Sequence, residues 1–398
     1  MTDVTGPNAG PKKEPKLEHW HSTEPFDPQS VEALSPEQER FYMASQWQMM
    51  WWKFRRHRVA VVSGIVLLLF YFSILISEFL APYGLHSRNT KFIFAPPQSI
   101  HLFDDGKFVG PFVYGYKQTL NRQTLKREYE INTKRVYPLR FFCSGDEYKF
   151  WGVFEASSHL VCAADKKRAT FFWLGTDRLG RDILSRIIYG TRISLTIGLI
   201  GIIISFTLGI ILGGISGYYG GWIDNVIQRV IELLKSLPQL PLWLALSAAL
   251  PVTWSPIWVF FGLTVILGLL DWPGLARAVR SKFLSLREED FCTAAQLMGA
   301  KPQRVIGRHL LPSFASHLIA SASLAVPSMI LGETALSFLG LGLRPPITSW
   351  GVLLNETTNI NAVATTPWLI YPVVPVILVV LAFNFLGDGL RDAADPYK

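Results

Sequence analysis

Charged side chains stand close together at a few places in an otherwise apolar chain. Asp177, Arg181 and Asp182 lie within six residues, which suits ion pairing and hydrogen bonding in a capped turn. Glu333 and Ser337 are four residues apart, so a helix places both on one face. A carboxylate inside an apolar helix is costly in lipid and is therefore a candidate for function. These groups indicate binding or gating chemistry.

The motifs of membrane enzymes are missing from the sequence. It contains no H-E-x-x-H, no G-x-S-x-G and no His/Cys cluster, and His309 and His317 are eight residues apart around a proline, a poor metal-ligand spacing. No G-x-x-x-x-G-K-[ST] loop is present, so the chain cannot itself cradle ATP phosphates. We expect no catalytic residue, no metal site and no cofactor bound by this chain. A membrane-embedded enzyme is the distant alternative.

Composition identifies the class of protein that holds these groups. Of 398 residues, 49% are hydrophobic and only 17% charged, whereas about 25% are charged in soluble domains. The apolar residues form long uncharged blocks. The net charge of +8 comes from cations beside those blocks. An anionic lipid surface explains this pattern better than nucleic acid, which we exclude as a partner.

Six segments are long and apolar enough to cross a bilayer, which takes about 20 residues. The third is less regular than the others, because it carries Glu232, Lys235, Pro238 and Pro241. The six predicted spans are 59–80, 193–216, 222–250, 257–275, 315–338 and 368–386.

The basic residues orient these spans. Arg55 and Arg56 precede the first span, and a second basic run occupies the loop 277–312. Both should face the cytoplasm, and the four spans between them are consistent with this. We therefore expect a multi-pass membrane protein with both termini cytoplasmic.

The remaining segments divide the chain into regions. Residues 1–34 are expected to be a disordered cytoplasmic tail, and residues 35–58 an amphipathic interfacial helix that Ser35 and Pro36 begin. Residues 81–172 form a periplasmic insert, in which the Asp-Gly pair near residue 105 predicts a hairpin in a small strand-rich unit. In the periplasm Cys143 and Cys162 can form a disulfide, and the alternative is two unpaired thiols. Residues 173–398 hold the second to sixth predicted spans and the loop 277–312.

One cytoplasmic segment carries a family resemblance. Phe291-Cys292-Thr293-Ala294-Ala295 leads to Gly299-Ala300 and then to Leu311-Pro312. This is similar to the coupling motif of ABC importer permeases, a helix, a glycine turn and a second helix that dock on an ATPase. Thr293 replaces the usual glutamate, which puts a salt bridge from that position in doubt. The resemblance implies a contact surface formed by Glu289, Asp290, Thr293, Ala294, Ala295, Gly299, Ala300 and Arg304.

Two further segments resemble the dipeptide/oligopeptide/nickel class of these permeases, on the C-type subunit. They are Gly175-Thr176-Asp177 with Gly180-Arg181-Asp182, and Gly332 to Gly342 followed by Pro345-Pro346. The resemblance covers the first span and residues from about 173 to 398, and the long insert resembles the enlarged variants. It implies an all-α, six-helix type I importer permease with a strand-rich insert between helices 1 and 2.

The same resemblance implies a location in the bacterial inner (cytoplasmic) membrane and a core permease domain over residues 173–398. It also implies partners and roles. A second homologous permease completes a heterodimer, two ATPase subunits bind ATP and magnesium, and a periplasmic binding protein delivers substrate. Oligopeptides are the default substrate, with oligosaccharides, opines or nickel as alternatives. Asp177, Arg181, Asp182, Glu333 and Ser337 are assigned to the translocation path or its outer gate. The alternatives are a capped turn for the first three and, for Glu333, an ion pair that fixes helix register. A stand-alone secondary transporter fits the docking loop poorly.

Overall fold

The computed structural model describes residues 43–104, 106–120, 122–123, 127–164 and 170–394. The predicted tail 1–34 and the predicted helix start at Ser35 lie outside the described residues. The chain divides into two compact units, Met1–Met49 and Met50–Lys398, and every contact discussed below lies within the second.

Helices make up most of the described chain. In order they are α1 (Gln46–Arg56), α2 (Arg58–Leu75), α3 (Ser77–Leu80), α4 (Ile183–Tyr219), α5 (Gly221–Ser236), α6 (Gln239–Ala248), α7 (Pro256–Leu286), α8 (Asp290–Leu297), α9 (Pro302–Arg304), α10 (Leu311–Ser313), α11 (Ala315–Phe338), α12 (Trp350–Asn355), α13 (Ile360–Thr365) and α14 (Val373–Ala394). A π-helical turn, Val305–Leu310, joins α9 to α10, and 3-10 turns occupy Glu356–Thr358 and Pro367–Ile370.

Five helices within the described ranges are long and apolar enough to cross a membrane, whereas the sequence predicted six spans. The five are α2, α4, α7, α11 and α14, the last counted with the turn before it. The predicted span 222–250 is two helices, because the chain is extended at Leu237 and Pro238. A proline disfavours helical backbone at the residue before it, so α5 ends at Ser236.

The second predicted span, 193–216, lies inside a longer helix. Helix α4 begins at Ile183, where the Asp182 side chain caps the backbone N–H of Ser185. The first turns of α4 contain Arg186 and Arg192, which hydropathy counts as polar. Both are paired with carboxylates, so they remain inside the helix.

The insert is a four-stranded antiparallel sheet of order β1-β2-β3-β4, as the sequence predicted in outline. The β1–β2 hairpin closes where the Asp-Gly pair predicted it, with Asp104 opposite Lys107. Cys143 and Cys162 lie on the paired strands β3 and β4 and form a disulfide, with 6.2 Å between their Cα atoms. The strands are β1 (His101–Asp104), β2 (Lys107–Leu120), β3 (Arg127–Phe150) and β4 (Phe154–Ala163).

The turn between β3 and β4 is tied to the helices. The Trp151 indole N–H donates to the carbonyl oxygen of Leu75 at 3.1 Å. The Arg192 guanidinium lies over the Trp151 ring, 4.3 Å from its centroid, and pairs with Glu78 at 2.8 Å. This clamp holds the sheet against the end of α2 and the first turns of α4.

The basic segments occupy the opposite end of the bundle from the sheet. Met50 of α1, the helix that precedes α2, contacts Ser316 at the start of α11. The sulfur of Met50 lies 3.6 Å from the Ser316 hydroxyl oxygen. Phe314, also before α11, packs edge-on against Phe283 near the end of α7, with centroids 5.6 Å apart. We call this the basic end, and the other the sheet end. The charge pattern predicted that the two basic segments share one side.

Glycines bring α4 and α7 into close contact. A Cβ on Gly213 would lie 2.5 Å from the Ala276 carbonyl oxygen, and one on Gly217 would lie 2.7 Å from the Cβ of Phe283. Gly209, Gly213 and Gly217 stand at four-residue spacing on α4, which permits the close van der Waals packing on which helices in lipid rely.

We expect Gly213→Ala to destabilise the bundle by about 1–3 kcal/mol, because the added methyl has no space and backbone must move. Thermal unfolding of the detergent-solubilised protein measures the effect. Gly64→Ala is the matched control, since its Cβ would meet Leu386 at an ordinary 3.6 Å. Equal melting temperatures for the two variants would contradict the close contact.

Candidate functional site

The predicted coupling loop 277–312 begins inside α7 and continues as a compact helical turn at the basic end. On α8, Cys292 and Ala295 face inward and are 0% and 2% exposed. They pack with Val279 and Phe283 of α7 in one apolar cluster. One side of this short helix is therefore fixed to the bundle.

The other side of α8 is apolar and open. Phe291 is 42% exposed, Leu297 84% and Met298 83%, and the neighbouring Ala294 is also exposed. Large apolar side chains grouped in this way at a surface mark an interaction site. We call these four residues the apolar contact face.

A glycine turn ends α8 as the motif predicted. Gly299 has φ +79°, a left-handed conformation that residues with a Cβ adopt at a cost. The N–H of Ala300 donates to the carbonyl oxygen of Ala295 at 3.0 Å, which closes the helix end. Lys301 then caps α9. The turn presents Met298 at its outer edge.

Two residues of the predicted contact surface interact with the protein itself: Ala295 and Thr293. Ala295 was assigned to the contact surface, but its side chain is buried against the bundle and a partner cannot reach it. The hydroxyl of Thr293 donates back to the Glu289 carbonyl oxygen at 3.4 Å, so it is used within the helix. Glu289, Asp290 and Arg304 lie exposed around the apolar contact face. Docking itself stays a prediction.

At the sheet end, Asp177 is the centre of a buried ion network. Its Oδ2 accepts from Nε of Arg181 at 2.7 Å and from Nη1 of Arg186 at 2.5 Å. Glu356, after α12, accepts from the same Arg186 nitrogen at 3.2 Å. Asp177 is 1% exposed and Arg186 2%. The network joins the segment that starts with residues 175–182 to Glu356, which is 170 residues from Arg186 in the sequence.

Asp182 belongs to a neighbouring cap rather than to this network. Its Oδ2 accepts from both the N–H and the hydroxyl of Ser185, each at 2.7 Å. Burial raises the pKa of the Asp182 carboxyl to about 7, although the bonds from Ser185 act in the opposite direction. The group is therefore partly protonated near neutral pH.

Glu333 is held by hydroxyl groups from three places in the chain. It accepts from Ser337 at 2.7 Å, from Ser349 at 2.6 Å and from Ser194 at 3.2 Å. The Ser194 oxygen also accepts the N–H of Trp350 at 3.1 Å. Glu333 thus links α4, α11 and the start of α12, and it is fully buried.

The five residues assigned to a path or outer gate fall into separate buried groups. Glu333 and Arg181 do not pair with each other, because Arg181 pairs with Asp177 and Glu356. All five are at most 6% exposed, so none faces an open path in this conformation. Burial favours the alternatives of a capped turn and a register-fixing contact, although hydroxyl groups replace the expected ion pair at Glu333.

Sequence reasoning missed the partners that complete these groups. Arg186 lies just after residues 175–182, in the segment that resembles C-type permeases, and the pair Ser185-Arg186 there is a usable signal. Glu356, Ser194 and Ser349 carry no local signal, because only the fold brings them near. No group of three or more His, Cys, Asp or Glu side chains placed to hold a metal ion occurs in the part of the chain that the structure describes.

Two regions of the chain match known protein families by sequence. Residues 205–397 match the family described as binding-protein-dependent transport system inner membrane component, and residues 45–97 match the N-terminal TM domain of oligopeptide transport permease C. A chain of the inward-facing MetNI methionine ABC transporter aligns at 18% identity and TM-score 0.42, covering 54% of this chain and 98% of that one.

Two relatives match this chain over more than two thirds of their own length. The dipeptide transport system permease protein DppC of Bacillus subtilis (strain 168) is 40% identical over 56% of this chain and 68% of its own. The oligopeptide transport system permease protein OppC of Haemophilus influenzae is 41% identical over 57% of this chain and 70% of its own. The chain therefore belongs to the family of binding-protein-dependent transport system inner membrane components, as a C-type permease subunit of the ABC importer class.

Proposed function

We propose that this permease forms one half of the path by which an ATP-driven importer moves oligopeptides into the bacterial cell. The peptide assignment is supported by the names of its relatives, which transport dipeptides and oligopeptides. Oligosaccharides, opines and nickel are the competing substrates. A second, homologous permease completes the path as a heterodimer.

The observation that carries the proposal is the apolar contact face on α8. Its Leu297 and Met298 side chains are largely exposed, while the opposite side of the helix is buried in the bundle. A rigid, apolar knob of this kind fits a groove on a partner. We propose that ATPase subunits hold it and transmit the movements of ATP binding and hydrolysis to α7 and α11.

We assign the basic end of the bundle to the cytoplasm and the sheet end to the periplasm. A cytoplasmic location for the basic end is supported by Arg277, Arg280 and Lys282 through the positive-inside rule. Both termini are then cytoplasmic, and the sheet lies in the periplasm, where a binding protein delivers substrate. A periplasmic location also suits the Cys143–Cys162 disulfide.

We propose that α5 and α6 together provide the sixth crossing. Asp224 of α5 pairs with Arg280 at 2.5 Å, near the end of α7, and Gln239 of α6 contacts Asp271 at 3.4 Å, halfway along α7. Ser247 then donates to the Leu341 carbonyl oxygen beyond the end of α11. The first two contacts follow α7 from the basic end to its middle, and the third lies beyond the end of α11 at the sheet end.

The test is reconstitution of the whole importer in proteoliposomes. With the second permease, the ATPase subunits, the binding protein and internal ATP, we expect accumulation of a radiolabelled tripeptide. Omitting the ATPase subunits, or replacing ATP by ADP, should abolish it. Uptake that persists without them would contradict the proposal. If an oligosaccharide, an opine or nickel competes with uptake and peptides do not, that competitor and not a peptide is the substrate.

A further inference from the structure

The hairpin that joins β3 to β4 ends in an exposed apolar tip. Trp151 is 50% exposed, Val153 71% and Phe154 69%. We call these three residues the hairpin tip. Large apolar side chains grouped at a surface mark an interaction site, because water solvates them poorly.

Two contacts orient this hairpin relative to the membrane. At the tip, the Trp151 indole N–H donates to the carbonyl oxygen of Leu75, the last residue of the spanning helix α2. Further along β4, the His159 ring nitrogen Nδ1 lies 2.5 Å from the carbonyl oxygen of Ala81, just after α3. Six residues separate Leu75 from Ala81, about 9 Å of helical chain at 1.5 Å per residue. The tip therefore points toward the span, and the strands behind it lead away.

The exposed surface of α2 meets the hairpin tip. Exposed apolar residues recur on α2 at three- and four-residue spacing, which places them on one face of the helix. They are Ile65, Leu68, Leu69, Phe72 and Leu75. On a spanning helix such a stripe faces the acyl chains. It ends at Leu75, whose carbonyl oxygen binds Trp151, so the apolar surfaces of span and tip join there.

Charged groups beside the tip are paired. The Arg192 guanidinium lies over the Trp151 ring and pairs with Glu78 at 2.8 Å. Lys149 and Glu155 flank the tip on the two strands and face each other at 4.0 Å, both largely exposed. Long charged side chains in this position can reach the headgroups while the apolar residues beyond them lie deeper.

The backbone of the turn is bonded internally. The N–H of Gly152 donates to the Lys149 carbonyl oxygen at 3.1 Å, and the N–H of Val153 donates to that of Phe150 at 3.0 Å. Unpaired backbone groups are costly in lipid, so this closure lowers the cost of entry. Trp151 has φ +50°, which is uncommon for a residue with a large side chain. The structure keeps this backbone where the indole binds Leu75.

We propose that the hairpin tip inserts into the membrane leaflet at the sheet end of the bundle. Val153 and Phe154 contact the acyl chains, and Trp151 lies at the interface, where tryptophan is enriched in membrane proteins. The tip is a second attachment that holds the insert against the bilayer. Lipid is the occupant because the tip continues the lipid-facing surface of α2. The inference depends on α2 crossing the membrane and not on the transported substrate.

Photo-crosslinking in membranes from cells that express the full-length permease tests the insertion. Phe154→p-benzoyl-L-phenylalanine is compared with the same replacement at Ser158. Both positions are exposed, and both face the same side of β4 because side chains alternate along a strand. After illumination, mass spectrometry of the purified permease measures the phospholipid adducts.

We expect at least about tenfold more lipid adduct from position 154, because position 158 is about 13 Å further along the strand and a headgroup layer is only about 5–7 Å thick. Val153→p-benzoyl-L-phenylalanine replaces the first variant if that one does not accumulate. Similar lipid yields at both positions, or no lipid adduct at the tip, would overturn the proposal. So would a protein adduct at the tip, which would identify a second permease or another copy as its partner. Transport is not measured, so a failure of the proposed import function leaves this result unaffected.

Discussion

Met298→Asp is expected to abolish ATP-driven uptake while the permease still folds and inserts. Met298 is 83% exposed beside Gly299, so the new carboxylate disturbs no internal contact. In the proposed complex, however, it would be buried unpaired in the apolar contact face. Central residues of an interface cost about 2 kcal/mol or more when altered, which lowers affinity about thirtyfold.

Co-purification of the ATPase subunits with a tagged permease measures this directly, alongside uptake in proteoliposomes. Val252→Asp is the matched control, because Val252 is 87% exposed but follows α6, at the sheet end of the bundle. We expect the control to retain the ATPase subunits and Met298→Asp to lose them. Normal association and uptake by Met298→Asp would show that the contact face does not serve this purpose.

The coupling segment could be predicted because its signals are local. Gly299 permits a left-handed turn, and Pro302 and Pro312 suit helix starts, so the motif predicts a helix, a turn and a second helix. The inward face could not be predicted in the same way. Ala295 is as small as Ala294, and only the position of Phe283 on α7 decides which of the two is covered.

The insert shows the same division between local and distant causes. Its first hairpin follows from one Asp-Gly pair. The clamp at Trp151 depends on Arg192 and Leu75, which lie far from it in sequence, and no periodicity relates them. Hydropathy also leaves the first ten residues of α4 outside the predicted span, since it scores Arg186 as polar and takes no account of the carboxylate that neutralises it.

The buried network at the sheet end yields the other large expected effect. Arg186→Met should strongly destabilise the permease, because two buried carboxylates, Asp177 and Glu356, would then share the guanidinium of Arg181 and keep an uncompensated negative charge. Breaking a buried pair by removing one partner costs about 3–5 kcal/mol. We expect the variant to accumulate poorly in membranes and to unfold at a lower temperature in detergent.

Arg178→Met provides the control within the same loop. Arg178 is 60% exposed and approaches Glu356 only at 3.9 Å, so its loss should cost at most about 1 kcal/mol. Equal stability of the two variants would contradict the structural role. If Arg186→Met folded normally but let substrate pass without ATP, the network would instead be the outer gate that the sequence suggested. The two roles are separated because stability is measured in detergent and leakage in sealed vesicles.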